Sequence, residues 1–301
     1  MDNDLISFIE YLKIEKNYSE YTIKSYSADI STFISYCKNN KIDKYKITYK
    51  EIKGYLSSMF DLKYTGTTIS RHISALRTFY NFLYRKKLVD KNVFLFISLP
   101  KKEKKLPKYM TYEDINILFN QPDITSPLGQ RNRLIIELLY GTGIRISELC
   151  NIKLKDISFD DRSIRILGKG SKERIVYYGN TCADILELYL SEGRIILLNN
   201  KHNDYLIVGA YKQDKKIGER TVFNVIDKLV KSASLKKNVS PHVFRHTFAT
   251  HLLNEGCDIL IVKELLGHSS LDTTGIYTHV SNERLRSVYL NSHPRAKKDL
   301  K

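Results

Sequence analysis

The sequence predicts a mainly α protein with a small β-sheet, split into an N-terminal helical bundle and a C-terminal α+β domain. Three observations carry this. Apolar residues recur at helical spacing through most of the 301 residues. One stretch, residues 163 to 178, instead alternates apolar and polar residues around the turn Gly168-Lys-Gly-Ser171, as a hairpin does. Residues 99 to 108, LPKKEKKLPK, lose the pattern altogether and read as a proline-bracketed basic linker. The expected division is a first domain over 1–98, a linker over 99–110 and a second domain over 111–301, each long enough for its own core.

Four helices are expected in the first domain. Leu5, Phe8, Ile9 and Leu12 mark the first, and Ile23, Tyr26, Ile30, Phe33, Ile34 and Cys37 the second. Thr48-x-x-Glu51 is a capping box ahead of Ile52, Tyr55, Leu56 and Met59. Thr67 is the expected cap of the fourth helix, whose core face is Ile69, Ile73, Leu76, Tyr80 and Leu83. Its other faces carry Arg71, His72, Arg77, Arg85, Lys86 and Lys87. Such a density of basic groups suits either a solvated face or contact with phosphates. Arg71, His72 and Arg77, with Lys104 and Lys105 of the linker, are the candidates for that contact. The linker itself suits a clamp around a duplex and an ordinary tether equally well.

In the second domain, Thr111-x-x-Asp114 opens a helix, and Leu134, Ile135, Leu138 and Leu139 form the apolar face of another. Gly141 and Gly143 are expected to break that helix just before Arg145. In the hairpin, Ile164, Ile166, Ile175 and Tyr177 are read as the alternating apolar positions, and Lys169 sits at the tip between two glycines. GKGS lacks the spacing of a Walker A loop. Helices follow over Cys182 to Leu198 and through Val222, Val225, Ile226, Leu229 and Val230. Near the end comes the richest stretch, Ser240 to Val280. His242 and Arg245 stand three apart and share a helix face. His268 follows Gly267, a helix C-cap, and Tyr277 lies on a short helix that Ser270 would cap. Two imidazoles, a guanidinium and a phenol make an anion-binding, proton-handling group around a potential nucleophile. A final helix at about 281–290 carries Leu285, Val288 and Tyr289 on one face, to pack on its own domain or on a neighbour. HPRAKKDLK then reads as a basic tail.

Composition narrows the partners. Lys and Arg number 49 against 33 Asp and Glu, a formal charge of +16 that favours a polyanion, nucleic acid first. The four cysteines, Cys37, Cys150, Cys182 and Cys257, are widely spaced and expected as buried free thiols in a reducing cytoplasm. The N-terminus lacks the pattern of a signal peptide, and no apolar run approaches the roughly 20 residues of a membrane span. A zinc site on His242, His246 and His251 is disfavoured. HVFRH lacks the glutamate of H-E-x-x-H, and Arg245 would repel a dication.

These residues resemble a known pattern. GTGIRISEL at 141–149, ILGKGSKER at 166–174, SPHVFRHTFATHLLNEG at 240–256, ELLGHSSLDTT at 264–274 and IYTHV at 276–280 are similar, in order and spacing, to the tyrosine site-specific recombinases. HPRAK at 293–297 resembles their bacterial Xer group. Gly275 and Val93 depart from the family's usual residues and touch no site position. The resemblance implies an N-terminal core-DNA-binding domain and a C-terminal catalytic domain whose active-site set is Arg145, Lys169, His242, Arg245, His268 and Tyr277. It implies strand cleavage and rejoining through a 3′-phosphotyrosine, with no metal, ATP or other cofactor. It also implies four protomers on two double-stranded DNA sites, as a homo-tetramer or with a second recombinase, the C-terminal helix docked in trans, and a septal DNA translocase as partner. Resolution of chromosome or plasmid dimers at cell division is the expected role. An integrase of a mobile element and a relaxing type IB topoisomerase share the chemistry, and a non-catalytic architectural DNA-binding protein is the alternative of a different class.

Overall fold

The computed structural model describes residues 2–16, 18–98, 109–168, 173–210, 213–235, 237, 239–267 and 281–296. The chain divides into two compact units, Met1–Lys105 and Leu106–Lys301. The first is built of α1 (Asn3–Ile14), α2 (Glu20–Asn39), α3 (Tyr49–Asp61) and α4 (Gly66–Arg85), followed by a 3-10 turn over Val93–Phe96. The helical periodicities become its core, with Phe8, Ile30, Phe33, Ile52, Ile73 and Leu76 fully buried. Asp2, Ser19 and Thr48 cap the first three helices, Thr48 through the expected reciprocal box with Glu51. The fourth cap is Thr65, not Thr67. Thr65 is extended, its hydroxyl accepts from the Thr68 amide, and its carbonyl takes the first helical bond, from Ile69. Thr67 is therefore already inside the helix.

The second unit holds α5 (Tyr112–Phe119), α6 (Pro127–Thr142), α7 (Ile146–Leu149), β1 (Ile157–Ser158), β2 (Ser163–Leu167) and β3 (Glu173–Tyr177). After them come α8 (Asn180–Leu188), α9 (Arg194–Leu198), α10 (Glu219–Ser232), α11 (Pro241–Asn254), α12 (Ile259–Leu266) and α13 (Asn282–Ser292). A π-turn over Tyr189–Gly193 joins α8 to α9, so the expected single helix there is one helix with a bulge. Helix α6 is the spine, buried from Leu134 to Thr142. Gly141 lies within it. Gly143 alone ends it, at φ +62, where a Cβ would lie 2.6 Å from the Phe248 ring.

The sheet is antiparallel in the order β1-β2-β3. Its register corrects the sequence reading of the hairpin. Ile164 pairs with Val176 and Ile166 with Arg174, so Val176 and Arg174 occupy the covered face in β3 while Ile175 lies outside with Arg165. At the C-terminus, the apolar face of the last helix is covered from within its own unit. Leu285, Val288 and Tyr289 of α13 pack against Phe248, Leu252, Ile261 and Leu265 of their own unit. The supposed basic tail goes inward as well. His293 is fully buried, and Arg295 bonds both oxygens of the buried Glu137 at 2.9 and 2.6 Å. The Arg295 carbonyl lies where a side chain on Gly179 would project, which explains that glycine. All four cysteines are buried and free, and no described helix is long and apolar enough to cross a membrane.

Candidate active site

The site is assembled where two helices end beside a third. Helix α6 stops at Gly143 and α12 stops at Gly267, both in the left-handed conformation. Each stop leaves backbone carbonyls without helical partners and puts the negative end of a helix dipole there. Arg245, buried on α11, answers both. Its Nη1 donates to the Gly143 carbonyl and its Nη2 to that of Leu266, each at 2.7 Å. One guanidinium thus ties two helix ends together. Burial first, and then the charge of Arg145, pushes the Arg245 pKa down to about 10, which leaves it a cation at neutral pH.

Arg145 follows Gly143 by two residues and caps α7 in an extended conformation. Glu148, three residues on, accepts from the Arg145 amide at 2.8 Å and from its Nη1 at 3.0 Å. Arg174 reaches the same carboxylate from β3, with Nη1 at 2.9 Å and Nη2 at 2.7 Å. The Arg145 side chain is 40% exposed, whereas that of Glu148 is 5% and that of Arg174 is 14%. Arg145 is therefore the member that faces outward. Burial alone would raise the Glu148 pKa, but the bonds from Arg174 and Arg145 outweigh it and hold the carboxyl below its usual range. The result is two guanidiniums bonded to one carboxylate, with that of Arg245 near enough to feel the charge of all three, a concentration of positive charge in a partly water-excluded place.

His242 sits in the first turn of α11, one residue after Pro241, and is exposed. The helix thus presents an exposed imidazole one turn from the buried Arg245. Lys169, His268 and Tyr277 lie outside the described residues, as does Ser270. Of the set expected from sequence, the structure places Arg145 and Arg245 together. His251 is not part of this group. It is buried, its Nδ1 pairs with the Tyr140 hydroxyl at 2.8 Å, and its ring stacks on Tyr112. Among the described residues, no three His, Cys, Asp or Glu side chains converge as metal ligands would.

Arg174 stands outside the active-site set expected from sequence, yet it joins this site. Its signal was strand parity. It stands two residues from Val176 and opposite Ile166, so it points the way the core residues point.

The candidates for DNA contact in the first unit divide. The Arg71 side chain is 42% exposed, and its Nη1 bonds Ser25 at 2.7 Å and Asp29 at 2.6 and 2.5 Å. His72 is a core residue, not a surface one. It is 3% exposed, with Nδ1 paired to the Tyr55 hydroxyl and Nε2 to Asp29, both at 3.0 Å. Burial first, then the Arg71 charge, pushes its pKa down to about 4, so the ring is neutral at pH 7. Arg77 is spent on the carbonyls of Phe94 and Ile97, where it fastens the 3-10 turn to α4. Lys104 and Lys105 lie outside the described residues.

Comparison with known proteins completes the picture. The profile described as "Phage integrase family" matches residues 108–284, and that described as "Phage integrase, N-terminal SAM-like domain" matches residues 5–87. The chain is 44% identical to the tyrosine recombinase XerC of Anoxybacillus flavithermus over 290 residues, 96% of this chain and 97% of that one. It is 45% identical to XerC of Staphylococcus epidermidis over 298 residues, 99% of each. Among solved structures, XerA recombinase is similar at 30% identity and a TM-score of 0.50, covering 98% of this chain and all of that one. XerH bound to its difH substrate shares the fold at 22% identity and a TM-score of 0.69, over 96% of this chain and 82% of that one.

Proposed function

The chain belongs to the phage integrase family, and on that premise we propose that it is a site-specific DNA recombinase that cuts and rejoins strands through a 3′-phosphotyrosine on Tyr277. The phenol oxygen of Tyr277 attacks the scissile phosphorus as the bond to the 5′ oxygen breaks. The phenol proton passes to His242, whose exposed place on the first turn of α11 leaves its ring open to substrate. A phenol ionises only near pH 10 in water, and the adjacent guanidiniums favour the phenolate. Lys169 protonates the departing 5′ oxygen. Arg145, Arg245 and His268 hold the non-bridging oxygens, where charge grows in the transition state. Rejoining runs the same steps backward with a 5′ hydroxyl from another strand as nucleophile. The phosphodiester energy stays in the phosphotyrosine, so no nucleotide is consumed.

One observation carries this reading. Arg245 is built into two helix ends while Arg145 faces outward from a carboxylate held by Arg174. That is a rigid, cationic surface fit for a charge-rich phosphorane. The relatives named XerC extend the reading to recombination at a specific double-stranded site. A lambda integrase solved as a tetramer on a Holliday junction shares the fold, and four protomers on two sites are the assembly proposed here. Resolution of chromosome or plasmid dimers in the cytoplasm at cell division, with a second recombinase and a septal DNA translocase, is the corresponding role.

The test is Tyr277→Phe on a nicked suicide substrate carrying the protein's own site. The variant binds with the affinity of the parent chain and forms no covalent complex. An adduct surviving on a denaturing gel would place the nucleophile elsewhere.

A further inference from the structure

We infer that Arg174 is a positioning residue for strand cleavage, acting through Glu148 on Arg145. The inference rests on the recombinase reading above and extends it to a side chain that touches no substrate.

The geometry makes the case in three steps. First, Arg174 grips Glu148 as a two-pronged fork, 2.9 and 2.7 Å, the strongest arrangement an arginine and a carboxylate can make. Second, that grip leaves Arg145 with a single side-chain bond to the same carboxylate, at 3.0 Å, so the rest of its guanidinium edge is available to non-bridging oxygens. Without Arg174, a carboxylate only 5% exposed would have Arg145 as its nearest cation. It would draw that guanidinium inward into the fork Arg174 now makes, and the outward charge would be cancelled. Third, the Arg174 stem lies against Gly267. Its Cδ would be 2.8 Å from a Cβ there, and its Nε, buried and without a partner among the described residues, is alongside. Gly267 must be left-handed to end α12, and only a residue without a side chain admits the arginine. The same packing therefore fixes the helix end to which Arg245 is bonded.

A purely structural arginine would predict loss of stability with cleavage falling in proportion to the folded fraction. The positioning role predicts something sharper. Arg174→Met slows single-turnover cleavage about 10- to 100-fold at unchanged DNA affinity, the range a donor displaced by about 1 Å costs. Arg174→Lys, which keeps the charge and loses the fork, is intermediate. In an Arg145→Ala background, Arg174→Met has no further effect, because the route through Arg145 is gone and the methionine keeps an aliphatic stem packed on Gly267. Arg174→Met with Glu148→Gln recovers part of the rate, since a neutral amide no longer pulls Arg145 inward. The double variant also removes the unpaired buried carboxylate, so folding is not limiting.

The assay is covalent-adduct formation on a suicide substrate, with circular dichroism melts of each protein. If the parent chain forms no adduct on any DNA, the recombinase reading falls and this assignment with it. If the parent forms the adduct but the Arg174 and Arg145 effects multiply in the double variant, the assignment alone is overturned.

Discussion

Removing Arg245 does two separable things, and the structure gives the size of one of them. The guanidinium donates to the carbonyls of Gly143 and Leu266, each at 2.7 Å, in a buried place at two helix C-termini. Hydrogen bonds from a charged donor contribute about 1.5–3 kcal/mol each. In Arg245→Met both carbonyls lose that donor and the helix ends lose their counter-charge, which argues for a total cost of about 3–5 kcal/mol. Arg245→Lys can reach one carbonyl and not both, so it loses about half as much. At about 2–4 °C per kcal/mol for a unit of this size, Arg245→Met lowers the melting temperature by about 6–20 °C. The measurement is urea and thermal unfolding followed by tryptophan-independent signals, far-ultraviolet circular dichroism being suitable because the chain has no Trp. Tyr277→Phe and Lys169→Ala serve as controls that alter proposed chemistry at other positions. A melting temperature for Arg245→Met within 2 °C of the parent chain would refute the claim that this residue ties α6 to α12. Arg245 would then serve chemistry alone.

Two further outcomes are expected. Lys169→Ala slows cleavage by about 10²- to 10⁴-fold, because the 5′ alkoxide loses its proton donor. A 5′-bridging sulfur leaves as a thiolate and restores the rate, and equal slowness on both substrates in single-turnover assays would give the proton to another group. His293 sets an acid limit on the second unit. Its folded pKa is pushed down to about 3, by burial first and then by the charge of a protonated His251, against about 6.5 unfolded. The unfolded chain therefore binds the proton first, and stability is lost as pH falls from 6.5 toward 3, by about 1.4 kcal/mol per pH unit well below 6.5. His293→Asn flattens that slope between pH 6 and 4 in urea titrations, and an unchanged slope would assign it to other groups.

What could be read from the sequence was what local rules decide. Thr48 and Thr111 sit in capping boxes as their spacing requires, and Gly267 ends α12 left-handed. The core faces of α2 and α4 follow from periodicity alone. That Arg145 and Arg245 share a site was legible through the family resemblance and not through their separation of a hundred residues; the bond from Arg245 to the Gly143 carbonyl is what brings them together. The rest depended on partners distant in sequence. His72 looked like one basic residue among several until Asp29 and Tyr55 closed around it from α2 and α3. Arg174 was hidden by a slip of one residue in strand parity, which only the pairing of Ile166 settles. The HPRA segment reads as a basic end, yet Glu137, buried in α6, and the empty side of Gly179 draw it inward. Composition cannot distinguish an arginine that neutralises a buried carboxylate from one that faces solvent.

The central claim is that Tyr277 becomes joined to the 3′ end of a cleaved strand. It is tested most directly by trapping the adduct on a suicide substrate labelled at one end at a time, digesting the protein, and sequencing the peptide that keeps the nucleotide. The account predicts that the retained strand is the one ending in a 3′ phosphate, and that the modified peptide contains Tyr277 within IYTHV. A 5′-linked nucleotide, or a modified residue other than Tyr277, would contradict it.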